Sequence, residues 1–228
     1  MSAWTIEPPS GFRTLGERPS GTRLVFVRHG EATCNVEGRV GGPRGCRGLT
    51  SRGRAEVAAL ADRLERTREL DDVVALYTSI LPRAIETAAL LARGLAPGLV
   101  VTKDCDLCEL HPGDADGMTW EELVTRYGGP DWDHDPAQPI APGGESWLDF
   151  YERCVATFAR LAATHPGERV LLVVHGGVIE QAIKVVSEFD AARRLGLRTE
   201  HASLTEVEHR DGSFRLLRYN DRAPLIEA

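Results

Sequence analysis

With 228 residues, 42% of them hydrophobic, the chain is long enough to bury one sizeable core, and α/β domains of this length commonly form a single unit. Its 34 Asp and Glu against 27 Lys and Arg argue against nonspecific nucleic-acid binding, which needs a basic surface. The five cysteines are odd in number and scattered through a chain that needs no staples, which argues against a disulfide framework.

Residues 1–22 hold Pro8, Pro9 and Pro19 with Gly11, Gly16 and Gly21, and no apolar run long enough for a signal peptide or a membrane span. They read as a flexible arm ahead of a single domain over residues 23–228. With free thiols, this points to the cytoplasm and to no membrane partner. Residues 24–27, Leu-Val-Phe-Val, suit a strand buried on both faces of a parallel sheet. The run ends abruptly in Arg28, His29 and Gly30, which puts a cation and an imidazole at the carboxyl end of a strand, where open α/β sheets bind ligands. Residues 36–48 come next as a glycine-rich loop carrying Arg39, Arg44 and Arg47. Guanidinium groups grip phosphate or carboxylate bidentately, so the loop is expected to place at least one of these, Arg39 first, on an anionic part of a substrate. The alternative is that all three point into water.

Thr50 or Ser51 can cap a helix whose Val57, Leu60, Ala61 and Leu64 keep the 3.6-residue period. A strand over residues 73–77 leads to Pro82, which suits the first turn of a helix. Arg83 then lies where a helix N-terminus already favours an anion, with Ala84, Ala88, Leu91 and Leu95 along the body. A short strand over residues 99–102 leads to Glu109 and a loop with His111, Asp114 and Asp116. Cys105 and Cys108 form a C-x-x-C without a second pair, so neither zinc nor redox chemistry is expected there, since a metal site needs more ligands. Residues 118–127 read as a helix and 128–144 as a polar, proline-rich stretch, the cap segment as a whole spanning about residues 110–146. Its Asp131-Trp132-Asp133-His134-Asp135 run reads as a solvated turn in preference to a metal site. Glu145 and Ser146 read as cap and helix-start residues for an amphipathic helix over residues 146–163. A second buried strand, residues 170–174, also ends in a His-Gly, at His175-Gly176-Gly177, and runs into a helix over residues 178–186. Strands over 204–207 and 214–217 pair as a hairpin through Asp211-Gly212. Strands alternating with long helices make the fold class α/β, a three-layer α/β/α sandwich with a mixed, mostly parallel central sheet.

Two strands that each deliver a His-Gly to one sheet edge are hard to explain as packing. Arg28-His29-Gly30-Glu31 with Thr33 and Asn35 resembles the signature of the histidine phosphatase superfamily, in its phosphoglycerate mutase-like branch. Further matches come in the family's order: Leu49-Thr50 with Gly53; Ser79, Arg83 and Thr87; Glu109 with Gly113 and Asp116-Gly117; Gly144-Glu145-Ser146; and His175-Gly176. The chain departs from many relatives in carrying Arg47 where they have an Asp shortly before the Leu-Thr.

The resemblance implies a metal-independent phosphomonoester chemistry with no cofactor, acting on a small phosphorylated metabolite, with His29 becoming a phosphohistidine. A phosphoryl group in flight spreads negative charge over its oxygens, so positioning and fixed positive donors dominate catalysis. Arg28, Arg83 and His175 supply these, Asn35 adds a neutral amide donor, and Gly176 and Arg39 complete the expected substrate contacts. Glu109 is the candidate general acid and later base, with Asp114 and Asp116 as fallbacks. Glu31 is expected to order the loop after His29, and His111 is as well placed to face solvent. A hydrolase is preferred to a cofactor-dependent phosphoglycerate mutase, because the region after Glu109 is short and acidic. A non-catalytic phospholigand-binding protein is disfavoured because His29, Arg83, Glu109 and His175 are all present. A homodimer stays open on symmetry grounds.

Overall fold

The computed structural model describes residues 21–222; most of the arm read over residues 1–22 lies outside them. One six-stranded sheet is built from β1 (Thr22–Arg28), β2 (Val73–Thr78), β3 (Val101–Lys103), β4 (Arg169–Val174), β5 (Ser203–Arg210) and β6 (Ser213–Arg222). Its order is β3-β2-β4-β1-β5-β6. The first four strands of that order run parallel, while β5 is antiparallel to β1 and β6 to β5. This is the mixed, mostly parallel sheet expected.

The helices are α1 (Thr33–Val36), α2 (Ser51–Thr67), α3 (Pro82–Leu91), α4 (Trp120–Tyr127), α5 (Trp147–Thr164) and α6 (Gly176–Ser187). Successive strand side chains point to opposite faces, and β1 feeds two cores. Val25 and Val27 pack with Val57, Leu60 and Leu64 of α2 and Ala84, Ala88 and Leu91 of α3. Leu24 and Phe26 pack with Phe150, Phe158 and Leu161 of α5 and Val178 and Ile179 of α6. Phe26 meets Phe158 edge-on at 5.2 Å between ring centroids, a favoured aromatic geometry. A small third core, Val40, Ala115, Leu123, Ile140 and Ala141, holds α4 and the cap segment over the sheet edge. No helix among the described residues is long and apolar enough to cross a membrane.

Several boundaries differ from the sequence reading. Strand β1 begins at Thr22, inside the expected arm, because Thr22 and Arg23 pair with His209 and Glu208. At its other end the strand takes in Arg28 opposite Val174. Helix α3 stops at Leu91, and Leu95 comes after a 3₁₀ turn over Ala92–Gly94. Strand β3 starts only at Val101, since Gly98 turns the chain at φ +93° just before it. Helix α4 starts two residues late, where Thr119 and Glu122 close a reciprocal capping box. Helix α6 starts two residues early, directly after His175. The hairpin is longer than expected, and Asp211 and Gly212, both with positive φ, make the tight turn foreseen there.

Candidate active site

Strands β1 and β4 are neighbours in register, Arg28 opposite Val174, so His29 and His175 leave the sheet side by side. Their ring centroids lie 5.1 Å apart. His29 is 2% exposed and His175 fully buried. The close approach of α2 makes glycine necessary at position 30. A Cβ there would lie 2.5 Å from the Gly53 carbonyl oxygen of α2, so only glycine lets that helix close against the turn after His29.

His29 Nδ1 donates to the Gly30 carbonyl at 2.7 Å, which leaves the lone pair on Nε2. Arg83, one residue into α3 after Pro82, shares its single Nε–H between His29 Nε2 at 3.1 Å and His175 Nδ1 at 3.2 Å. Its Nη1 donates to the Gly41 carbonyl at 2.6 Å. With Nδ1 accepting, His175 carries its proton on Nε2 and donates to Ser79 Oγ at 2.7 Å. Thr87 Oγ1 accepts from the Gly30 amide at 3.2 Å and ties α3 to the same turn. Arg28 donates to the Thr199 carbonyl, while its buried Nε has no hydrogen-bond partner among the described residues.

Glu109 reaches the site from the other side. Its Oε2 accepts from the Gly177 amide at 3.0 Å and its Oε1 from the Leu110 amide at 3.3 Å. A Cβ on Gly177 would sit 2.2 Å from Glu109 Oε1, so the second glycine after His175 is what admits the carboxylate to the first turn of α6. Asn35 Oδ1 accepts from the Ala32 amide at 3.1 Å, which keeps Nδ2 as its free donor. Arg28, His29, Asn35, Arg39, Arg83, Glu109 and Gly177 line one cavity of about 350 Å³, within the range of small-molecule sites.

Other expected residues are placed differently. Asp116 accepts from the Arg44 and Gly45 amides at 2.7 and 2.9 Å and lines a neighbouring groove; neither it nor Asp114 lines the cavity. Gly176 is the first residue of α6, but Gly177 is the one at the cavity wall. Of the loop arginines, Arg44 is held by the Gly113 carbonyl and Asp116, and Arg47 by Glu37. Only Arg39 of these three lines the cavity; its Nη1 donates to the Gly117 carbonyl at 2.9 Å, and its Nε pairs with Glu37 at 3.3 Å. Glu31 accepts from Thr50 Oγ1 at 2.7 Å and so orders the turn after His29. Ser146 caps α5 by accepting from the Asp149 amide. Glu145, by contrast, is no cap: it pairs with Arg153 and His111. In the acidic run, His134 pairs with Asp131 and Asp133 with Arg194.

The sequence reading missed two contributions. His201, just ahead of β5, lies beside His29 with centroids 5.6 Å apart and the rings tilted by 42°. Trp120, Trp132 and Trp147 come from three separate cap and helix positions to the cavity wall. Nothing local marks them, since an aromatic residue reads equally as core.

Burial is the first cause that holds His29 well below the usual histidine range, followed by the charges of Arg83 and Arg28. His175 is lowered in the same way by burial, Arg83 and Arg28, and His201 to about 3 by burial and Arg28. These rings stay neutral in the folded state at pH values where an unfolded histidine is charged. The unfolded chain therefore binds more protons below about pH 6.5, so their contribution to stability is whole above that pH and declines as pH falls below it. Each costs up to about 1.4 kcal/mol per pH unit in that window, offset slightly by His134, which Asp131 raises. Urea unfolding from pH 7.5 to 5 is expected to show the decline, and His201→Asn to flatten it by about one proton. Equal slopes in the two proteins would remove His201 from this account.

Comparison with known proteins shows the family. The family model described as histidine phosphatase superfamily (branch 1) matches residues 24–222. Phosphoglycerate mutase-like protein 4 of Arabidopsis thaliana is 35% identical over 191 residues, covering 81% of this chain and 76% of the relative. The metal-independent phosphoserine phosphatase of the same plant is 31% identical over 206 residues, 88% of this chain and 82% of the relative. The structure of mycobacterial glucosyl-3-phosphoglycerate phosphatase with VO3 superposes with a TM-score of 0.72 at 30% identity, over 87% of this chain and 98% of that one. By the family match and by likeness along most of its length, the chain belongs to the histidine phosphatase superfamily, branch 1.

Proposed function

We propose that the protein hydrolyses phosphomonoesters of small metabolites through a phosphohistidine on His29, with Glu109 as general acid and then general base. The observation that carries this reading is the single Arg83 Nε–H shared between His29 Nε2 and His175 Nδ1. A phosphoryl oxygen entering the cavity competes for that proton donor. As Arg83 turns to the phosphate, the His29 Nε2 lone pair is released toward phosphorus, so the clamp and the nucleophile are engaged in one event. The Nδ1–H held by Gly30 fixes the tautomer and stabilises the ring as it gains positive charge. Arg28, Arg83 and the Asn35 amide then face the charge that spreads over the phosphoryl oxygens, while His175, its Nε2–H held by Ser79, supports Arg83 through Nδ1.

Glu109, in its acid form, gives its proton to the departing alkoxide as the ester P–O bond breaks. As carboxylate it takes a proton from water, whose oxygen attacks phosphorus and breaks the P–Nε2 bond, releasing phosphate and restoring His29. Replacing Glu109 by Gln is expected to slow alkyl phosphates by roughly 10²- to 10⁴-fold and activated aryl phosphates by only about tenfold. Equal loss on both classes, measured as kcat, would move the acid role elsewhere.

The cavity favours a compact alcohol with a sugar-like or apolar face against Trp120, Trp132 and Trp147, and one further anionic group against Arg39. Retention and return of the phosphoryl group, as a mutase requires, finds less support: beyond Arg28 and Arg83, Arg39 is the one cation lining the cavity among the described residues. The net charge of −7 supports a reading without nucleic-acid partners, and five unpaired cysteines support a cytoplasmic setting. Release of inorganic phosphate from a panel of sugar, glycerate, amino-acid and nucleotide phosphates, with 3-phosphoglycerate isomerisation followed in parallel, tests the assignment. Isomerisation without release would replace the hydrolase by a mutase.

A further inference from the structure

Immediately before and after Glu109 the chain reads Cys105-Asp106-Leu107-Cys108-Glu109-Leu110-His111. A 3₁₀ turn over Cys105–Leu107, closed by the Cys108 amide on the Cys105 carbonyl at 3.0 Å, folds the two thiols together. Their Sγ atoms are 3.9 Å apart, and His111 Nε2 lies 3.8 Å from Cys105 Sγ. All three donor atoms fall within 4.8 Å of one another. A tetrahedral zinc ion, with Zn–S of about 2.3 Å and Zn–N of about 2.0–2.1 Å, sets its sulfurs about 3.8 Å apart and a sulfur and nitrogen about 3.5 Å apart. The donors thus stand close to the required spacing before any ion arrives. A disulfide would need the sulfurs to close to about 2 Å.

The surroundings fit a metal ligand set as well. The second ring nitrogen of His111, Nδ1, faces Glu145 Oε1 at 3.4 Å, the carboxylate-to-histidine arrangement that orients metal-bound imidazoles. Glu145 also accepts from the His111 amide at 2.8 Å and is held by Arg153 at 2.6 and 2.7 Å. Arg153 in turn donates to the carbonyls of Asp106, Cys108 and Glu109, so the backbone that presents the donors is fixed by groups outside the cluster. Charge balances too: two thiolates neutralise a divalent ion, and Glu145 neutralises Arg153. Cys108 is buried but Cys105 is exposed, which leaves one side of the cluster open to solvent.

We propose that Cys105, Cys108 and His111 form a binding site for zinc or a similar soft divalent ion, with solvent as fourth ligand, and that the ion braces the segment carrying Glu109. This departs from the sequence reading, which discounted the C-x-x-C for want of further ligands and left His111 without a role. Binding stands apart from the phosphatase reading; the consequence for Glu109 rests on it. The ion touches no reacting oxygen, so phosphoryl transfer itself stays metal-independent. Its part is mechanical. Cys108 precedes Glu109 and His111 lies two residues beyond it, so one ion ties the chain on both sides of the carboxylate that docks on the Gly177 amide.

The test is a titration of reduced, chelator-stripped protein with Co²⁺. One equivalent is expected to give thiolate-to-metal charge-transfer absorption and intense tetrahedral d–d bands, both bleached by one equivalent of Zn²⁺. Cys105→Ser, at an exposed position, is expected to fold normally and to weaken the charge-transfer band, and the Cys105→Ser/Cys108→Ser double variant to abolish it. His111→Ala should weaken binding by about tenfold or more. Zn²⁺ should slow hydrogen exchange at the Leu110 and His111 amides. His29→Ala should keep the cobalt spectrum unchanged, which separates failure of the metal site from failure of the phosphatase reading. Absence of a thiolate band at one equivalent, or a band that survives in the double variant, would overturn the proposal. So would a reduced protein that binds no metal but readily forms a Cys105–Cys108 disulfide in air.

Discussion

Substituting His29 by alanine is expected to lower kcat/KM for phosphate release by roughly 10⁴-fold or more, since removal of an activated nucleophile abolishes the covalent route altogether. The ring cannot be replaced by a neighbour. His175 presents its Nδ1 to Arg83 and its Nε2–H to Ser79, and the His201 ring lies tilted beside His29, centroids 5.6 Å apart. Rapid acid-free quenching of the wild-type protein with a labelled substrate should trap an acid-labile, base-stable phosphoprotein, and His29→Ala should trap none. Turnover that persists in the variant would exclude the covalent mechanism. The fold is expected to survive, because the surrounding turn is secured by the Gly30 amide on Thr87 and by Thr50 on Glu31.

Substituting Arg83 by methionine carries the second largest effect. The guanidinium bonds both histidines and the Gly41 carbonyl; its removal takes away a fixed cation aimed at the transferred group. Arginines in that role are worth roughly 10³- to 10⁵-fold in phosphoryl transfer. Lysine should restore little, because a point charge cannot serve two ring nitrogens and a phosphate oxygen through one planar fork. A second readout separates clamp from scaffold. Arg83 is the largest of the charges that keep His29 neutral, after burial itself. Without it the His29 pKa rises, a larger fraction of the ring is protonated at a given acidic pH, and the acid limb of kcat/KM moves to higher pH. A variant with the expected loss but an unmoved acid limb would show that Arg83 acts on the phosphate alone.

Much of this architecture is written locally. The apolar run ending in Arg28-His29-Gly30, its counterpart before His175, the Pro82 start of α3, the Ser146 cap of α5 and the Asp211-Gly212 turn are all readable because a buried strand, a helix start and a tight hairpin each depend on residues within a few positions. Cap boundaries were less legible. Helix α4 is short, its neighbours are polar and proline-rich, and its position is set by the small core around Leu123 and Val40.

Strands, helices and the chemical identities of the groups at the strand ends are thus set by short stretches of chain. That His29 and His175 each come directly after a buried strand is set in the same way, because burial of both sheet faces imposes continuous apolar runs. What those groups meet is a matter of long-range packing. The placement of β1 beside β4 sets the two imidazoles 5.1 Å apart. The packing of α3 brings Arg83 between residues 54 and 92 positions away in the chain. The antiparallel return of β5 adds His201, and the cap folds three distant tryptophans onto the cavity while placing His111 against two cysteines. Local propensity acts over a few residues, whereas these contacts are fixed by sheet order and by the fit of cap to core, which no short stretch of sequence encodes.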